Sequence, residues 1–132
     1  MKTNVLRLFA GAFFATFFAM LLSVTAFAHH GTAAYDDQHP VTSNGVVTEF
    51  NWANPHVQIY YDVKDNKGGM VHWAVETLSP GKLARSGWNK DSIKAGDQIT
   101  ITVWGAKSGA PVGFMRKLIV NGKELPIDEK AN

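Results

Sequence analysis

Residues 44–63 read NGVVTEFNWANPHVQIYYDV and predict two β-strands joined at a corner. Proline has no backbone N–H to give to a sheet and disfavours helical geometry in the residue before it, so we expect a bend at Asn54-Pro55. After this corner, apolar and polar side chains alternate, which is typical of a half-buried strand. One face of that strand carries Val57, Ile59, Tyr61 and Val63, and the other carries His56, Gln58, Tyr60 and Asp62.

Further short apolar runs follow on either side of this segment. Gly-rich or Asn-Gly turns separate most of them, and Ser79, Pro80 and Gly87 are typical of the start and end of a short helix. The predicted strands are Gly45–Trp52 (with Val46, Thr48, Phe50 and Trp52 on one face), His56–Val63, Met70–Glu76, Gln98–Trp104, Phe114–Val120 and a last short strand at 123–125.

The second and third strands have one favoured register. Pairing Val63 with Val71 places all their large apolar residues on one face, whereas a slip by one residue would set them against polar partners. On the outer face, this register puts Gln58 opposite Glu76 and brings His56 to the same end of the hairpin. It also pairs Asp62 with His72 across the strands.

This order of elements predicts an all-β fold. Five or six short strands, with one helix between the third and fourth, match a small OB-like barrel. A small antiparallel sandwich is the alternative. We expect a His-rich arm at 29–43, the barrel at 44–127 and a frayed tail at 128–132.

The first 28 residues have the pattern of a signal peptide. Lys2 and Arg7 precede the apolar run Leu8–Leu22, and Ala26 and Ala28 form a small–x–small cleavage site. An uncleaved membrane anchor is the alternative, because the segment from Leu8 to Ala28, about 21 residues long, can just span a bilayer. Cleavage after Ala28 predicts a periplasmic or secreted protein that is not attached to the membrane.

Composition excludes several classes of function. Removing Lys2 and Arg7 with the leader lowers the 13 basic residues to 11, which balance the 11 acidic ones. Because the mature chain is near neutral and has no Lys/Arg stripe, we expect no nucleic-acid partner. The chain contains no cysteine, which excludes disulfides and thiolate metal sites.

Several of these motifs together resemble one family of small secreted bacterial proteins of unknown function. The motifs are the start His29-His30-Gly31 with Tyr35-Asp36, the corner Trp52-Ala53-Asn54-Pro55-His56, Trp73-Ala74-Val75-Glu76, Gly87-Trp88 and Lys94-Ala95-Gly96-Asp97. The resemblance covers nearly all of the mature chain, although Gly31 stands where a serine is expected. It implies export and the OB-like fold but no activity, cofactor or partner.

The mature N-terminus is the first candidate site. Cleavage after Ala28 would leave His29 with a free α-amine, and this amine and the imidazole can chelate one metal ion. His30, His39 or His56 would supply a third nitrogen, and Glu76 lies beside His56 in the predicted register. Nitrogen donors of this kind favour copper, then zinc. Cleavage one residue earlier would place a histidine third in Ala28-His29-His30, which is also a copper-chelating pattern. The alternative is that these histidines are ordinary solvated residues.

The corner of the sheet is the second candidate site. Asn54, His56, Gln58 and Glu76 would form a ligand cleft, a second shell for the metal, or a docking place for the arm. The structural alternative is that they satisfy backbone groups freed by Pro55. In the alternation of its strand, Trp104 falls on the polar face, which makes it the candidate for an exposed aromatic residue that binds a ligand.

The resulting expectation is an exported, non-catalytic binding protein that binds copper or zinc through its mature N-terminal histidines. One alternative is a metal-free module that holds a small ligand or a periplasmic protein. The other is a copper oxidase built on a histidine brace. No serine lies in a Gly-x-Ser-x-Gly context and no phosphate-binding glycine motif occurs, so the sequence predicts no other catalytic residues.

Overall fold

The computed structural model describes residues 31–127, and within them it shows six strands and one short α-helix. The predicted signal peptide and the predicted frayed tail lie outside the described residues. The elements are a 3-10 turn (Thr32–Ala34), β1 (Val41–Asn51), β2 (Gln58–Lys64), β3 (Met70–Glu76), α1 (Pro80–Arg85), β4 (Gln98–Gly105), β5 (Val112–Val120) and β6 (Lys123–Leu125). In this part of the chain, no helix is long and apolar enough to cross a membrane.

The first five strands close into a barrel. Antiparallel ladders join them in the order β3-β2-β1-β4-β5, and a parallel pairing of β3 with β5 closes the ring. The sixth strand extends the sheet beyond β5. The all-β, OB-like barrel with its short helix between the third and fourth strands is therefore confirmed, and the sandwich alternative is excluded.

The predicted register of β2 and β3 is confirmed along the whole hairpin. Val63 lies opposite Val71, Tyr61 opposite Trp73, and Ile59 opposite Val75. Gln58 is paired with Glu76 on the outer face. Since a side chain changes face at every residue, this register places the polar groups of both strands on one surface.

The first strand differs from its prediction. It begins at Val41 rather than Gly45, and its buried residue is Val47 (1% exposed), whereas Val46 is 44% exposed. The prediction that Val46 and Thr48 share a face with Phe50 and Trp52 is wrong, because only the latter two pack against the core. A bulge between Val47 and Glu49 adds one residue to β1, so Val47 and Phe50 both face the core although they are three residues apart.

The barrel interior is filled by side chains from all five barrel strands and from α1. Ser79 caps α1, its hydroxyl accepting a hydrogen bond from the Lys82 amide, and Leu83 of this helix is fully buried. Burying an aliphatic side chain of this size stabilises the fold by roughly 1.5–3 kcal/mol. The core residues include Val57, Ile59, Tyr61, Val75, Ile99, Ile101, Val103, Met115 and Leu118.

Candidate functional site

The carboxylate of Glu76, the last residue of β3, has two side-chain partners from distant parts of the chain. The Nδ1 atom of His56 lies 3.3 Å from its Oε2 atom, and the hydroxyl of Tyr35 donates a 3.0 Å hydrogen bond to its Oε1 atom. The side chains of His56 and Glu76 are 49% and 31% exposed. We call these residues, with Gln58 and Tyr60, the Glu76 site.

Backbone hydrogen bonds place His56 beside Glu76. The Val57 amide donates to the Leu78 carbonyl (3.0 Å), and the Thr77 amide donates to the Val57 carbonyl (2.9 Å). These bonds continue the β2–β3 pairing past the end of the regular ladder, toward the corner. The predicted clustering of His56 and Glu76 at this end of the hairpin therefore follows from its register.

The arm that precedes β1 lies against the barrel. The Asp36 amide donates to the Gly105 carbonyl (2.8 Å), and the amide of Lys107 donates to the carbonyl of Ala34 (3.1 Å). The ammonium group of Lys107 adds a 3.0 Å hydrogen bond to the Ala33 carbonyl. These contacts position Tyr35, whose ring lies 6.4 Å from that of Phe114.

Sequence reasoning missed the part that Tyr35 plays in the site. Tyr35 is the only Phe, Tyr or Trp in residues 29–43. A lone aromatic residue in a polar segment indicates docking on the domain, because its ring gains by burial. That signal was present, but the partner of the hydroxyl group was not predictable from it.

A shallow pocket of about 300 Å³ adjoins Glu76 on the outer face of the barrel. The Gln58 Oε1 atom accepts hydrogen bonds from the Tyr60 hydroxyl (3.2 Å) and the Asn51 amide (3.3 Å), which hold the Gln58 side chain in place. The pocket is lined by Tyr35, Gln58, Tyr60, Ala74, Val75, Glu76, Val112 and Gly113.

Tyr35 remains a hydrogen-bond donor at neutral pH. Burial, the hydrogen bond to Glu76 and the negative charge of Glu76 raise the pKa of the Tyr35 phenol to about 12. Next to it in the chain, the Asp36 carboxylate contacts the Nδ1 atom of His39 at 2.9 Å, and this contact lowers the pKa of Asp36.

A family model with the description "Family of unknown function (DUF6152)" matches residues 18–116. The chain belongs to this family. The matched residues include all five members of the Glu76 site. No curated protein matches the chain, and no solved structure does so.

Of the remaining predicted residues of this DUF6152 protein, Asn54 and Trp104 do not line the pocket beside Glu76. Asn54 is exposed and precedes Pro55 through a cis peptide bond. Trp104 faces outward, as the alternation of its strand predicts, but it is half-buried: its ring is stacked on Phe114, and the Arg116 guanidinium lies 4.2 Å from its centroid.

Two other histidines contact carboxylates elsewhere on the surface. The predicted cross-strand contact of His72 with Asp62 is confirmed, and His39 contacts Asp36 in the arm. Between residues 31 and 127, no group of three or more His, Asp or Glu side chains is placed to hold a metal ion. His29 and His30, the other predicted metal ligands, lie outside the described residues.

Proposed function

We propose that this DUF6152 protein is an exported, non-catalytic metal-binding protein of the periplasm. Its metal is copper or, second, zinc, bound by the mature N-terminal histidines together with His56. The observation that carries this proposal is the position of Glu76, whose carboxylate contacts His56 on one side and Tyr35 of the N-terminal arm on the other.

The His56–Glu76 contact has the form that metal sites use. A metal-binding histidine typically donates its second ring N–H to a carboxylate, which fixes the ring orientation and raises its basicity. Here the Nδ1 atom of His56 contacts Glu76, which leaves the Nε2 atom as a potential metal ligand. Glu76 would orient His56 or bind the metal directly.

The arm supplies the second line of support. Tyr35 contacts the same carboxylate as His56, and His30 precedes Tyr35 by five residues in the chain. Backbone and side-chain hydrogen bonds hold the intervening residues Ala33 and Ala34 to Lys107. The α-amine and imidazole of His29, with His30 and His56, provide nitrogen donors that favour Cu(II).

The test is a Cu(II) titration of mature protein exported from a bacterium, with its N-terminus verified by intact mass. We expect one tight site. His29→Ala and His56→Ala should each weaken it strongly, and Glu76→Gln should weaken it about 10–100-fold, as loss of an outer-shell partner does.

His72→Ala is the matched control. His72 also contacts a carboxylate through its Nδ1 atom and is exposed, but it pairs with Asp62 in the middle of the β2–β3 hairpin. Binding should not change in this variant. An affinity no higher than that of a free His-His-Gly peptide would refute the metal proposal.

A second candidate is metal-free binding of a small polar ligand in the pocket beside Glu76. Its volume of about 300 Å³ is at the lower limit for small-molecule sites, and its lining combines a carboxylate, two phenols and an amide. This function predicts that ligand binding persists in a chelator and is lost in Glu76→Gln. The histidine-brace oxidase differs from both, since it requires reductant-dependent peroxide formation or substrate turnover.

A further inference from the structure

A second and larger depression lies on the outer face of the barrel, at β1, β2, β4, β5 and the first residue of β3. Its volume is about 670 Å³, within the usual range for small-molecule sites. We call it the β1–β2 groove. None of the residues of the Glu76 site lines it, so the two sites are separate.

The topology of the sheet explains this groove. The ladder between β1 and β2 ends at the pair Val46–Asp62. From there β1 continues back to Val41 beside β4, whereas β2 continues to Lys64 beside β3. Beyond this pair no ladder joins β1 to β2, and the groove lies beside the end of their ladder.

Exposed aliphatic side chains lie among the polar residues that line the groove. Val46 and Met70 are 44% and 51% exposed, and they rank among the large hydrophobic residues most exposed to solvent in the described part of the chain. Ile119 adds a third apolar side chain. None of the described residues that line the groove is aromatic, which disfavours ligands that bind by stacking, such as nucleobases and sugars.

Two charged side chains line the groove, Asp62 and Lys64. Asp62 already contacts the Nδ1 atom of His72. Lys64 lines the groove, and no carboxylate within residues 31–127 forms an ion pair with it. An ammonium group beside exposed aliphatic side chains complements a molecule with an anionic head and an aliphatic tail.

The geometry points to the β1–β2 groove as a binding site for an aliphatic carboxylate such as a medium-chain fatty acid. The carboxylate pairs with Lys64, and the alkyl chain lies on Val46, Met70 and Ile119. This site does not depend on the metal-binding proposal, because none of its residues contacts Glu76 or the arm.

The test uses straight-chain alkanoates of six to ten carbons, below their micelle-forming concentrations, with mature protein kept in a chelator. Calorimetry measures the affinity, and amide NMR shifts locate the bound molecule. We expect affinity to rise about two- to fourfold with each methylene group, as burial of an alkyl chain requires. Amide shifts should be confined to the residues that line the groove.

Variants and analogues separate the head from the tail. Lys64→Gln should weaken alkanoate binding about two- to fivefold, the usual effect of an exposed ion pair, and leave binding of the matching alcohol unchanged. Met70→Gln and Val46→Thr should weaken both ligands. The control Lys90→Gln changes an exposed lysine outside the groove and should alter neither.

Three results would overturn the proposal. One is an affinity that does not depend on chain length, and another is equal binding of the alkylammonium analogue. The third is a ligand-free protein that dimerises as its concentration rises, with shifts confined to the groove, since a second copy would then be the occupant.

Discussion

At the scale of the single residue, the hydroxyl group of Tyr61 is a polar group in the hydrophobic core. It is buried without a hydrogen-bond partner within residues 31–127. Burial raises the pKa of Tyr61 to about 12. The nearby Ser43 side chain acts on this pKa in the opposite direction, although it forms no hydrogen bond with the Tyr61 hydroxyl. A buried donor with no partner costs folding free energy.

Tyr61→Phe should therefore leave the free energy of unfolding unchanged or raise it by up to about 1 kcal/mol, because the ring stays and only the unsatisfied group is lost. Urea unfolding measures the difference. The matched control is Tyr60→Phe, which removes a hydroxyl that does donate, to Gln58, and should be neutral or destabilising. A loss of more than about 1 kcal/mol in Tyr61→Phe would show that this hydroxyl has a partner.

Ionisation of the same residue should lower the stability of the folded protein at alkaline pH. A tyrosine whose pKa is higher in the folded state than in the unfolded state (about 10) contributes stability below pH 10. That contribution is lost as the pH rises through 12. We expect the urea concentration at the midpoint of unfolding to decrease as the pH rises from 10 to 12, and to decrease less in Tyr61→Phe. In that variant, Tyr35 is the remaining tyrosine with a raised pKa among the described residues. An equal fall in both proteins would contradict the assignment to Tyr61.

Tyr35→Phe tests the link between the arm and the Glu76 site. The ring keeps its contact with Phe114, but the hydrogen bond to Glu76 is lost, at a cost of about 0.5–1.5 kcal/mol. Because this bond holds the arm, the amides of Asp36 and Lys107 should exchange faster with solvent in the variant. Unchanged exchange at both amides would show that the backbone contacts alone hold the arm.

The sequence identified only part of this site at the residue scale. The contact of His56 with Glu76 was predictable, because it follows from a strand register that the apolar residues dictate. The partner of Tyr35 was not, because the path of an irregular arm depends on backbone hydrogen bonds to Gly105 and Lys107, and these have no signature in the sequence.

At the scale of the element, β1 shows where periodicity misleads. Strict alternation placed Val46 and Thr48 on one face with Phe50 and Trp52, whereas in the bulged strand Val47 is buried and both of its neighbours are exposed. A bulge needs no special residue type, so Thr48 gave no warning of it. By contrast, Asn121-Gly122 predicted its hairpin correctly, since both residues adopt the positive φ angles that this two-residue turn requires.

Gly45 controls how closely β1 packs on β2. A Cβ atom at this position would lie 2.7 Å from the carbonyl oxygen of Asp62 and 2.8 Å from the ring of Tyr61. Gly45→Ala should destabilise the protein by about 1–3 kcal/mol through overpacking. Urea unfolding with an unchanged m-value would measure this loss.

Gly105→Ala is the control for that variant. Gly105 also lies in a strand, but a Cβ atom there would meet nothing within 4 Å. This change should be neutral or slightly stabilising, because alanine restricts the unfolded chain more than glycine does. Equal losses in the two variants would indicate a general intolerance of side chains at strand glycines and not the close contact at Gly45.

At the scale of the whole molecule, closure of the barrel was the feature hardest to predict from the sequence. The number and order of the strands indicated an OB-like barrel, and this fold is confirmed. The contact that closes it is a parallel pairing over three residues, from Ala74 to Glu76 of β3. Its strands are 35 or more residues apart in the chain, and neither carries a pattern that selects the other. The fold class was therefore predictable, whereas the register of this closing contact was not.

The function proposed for the whole chain depends on cleavage of the predicted signal peptide. If cleavage follows Ala28, exported protein has the mass of residues 29–132 and begins with a free α-amine on His29. Ala28→Phe places a large residue at the cleavage site and should prevent cleavage. The uncleaved protein should fractionate with membranes through its apolar leader, and its tight Cu(II) site should be lost while the barrel remains folded.

Intact mass, fractionation and a copper titration of both proteins measure these outcomes together. A cut one residue earlier would leave a histidine third in the chain and preserve a copper-chelating pattern. A cut beyond His30 would remove both histidines, and copper binding should then be weak in the wild type as well. Tight binding by the uncleaved protein would exclude the α-amine as a ligand, and the metal would then have to bind through side chains such as those of His56 and Glu76.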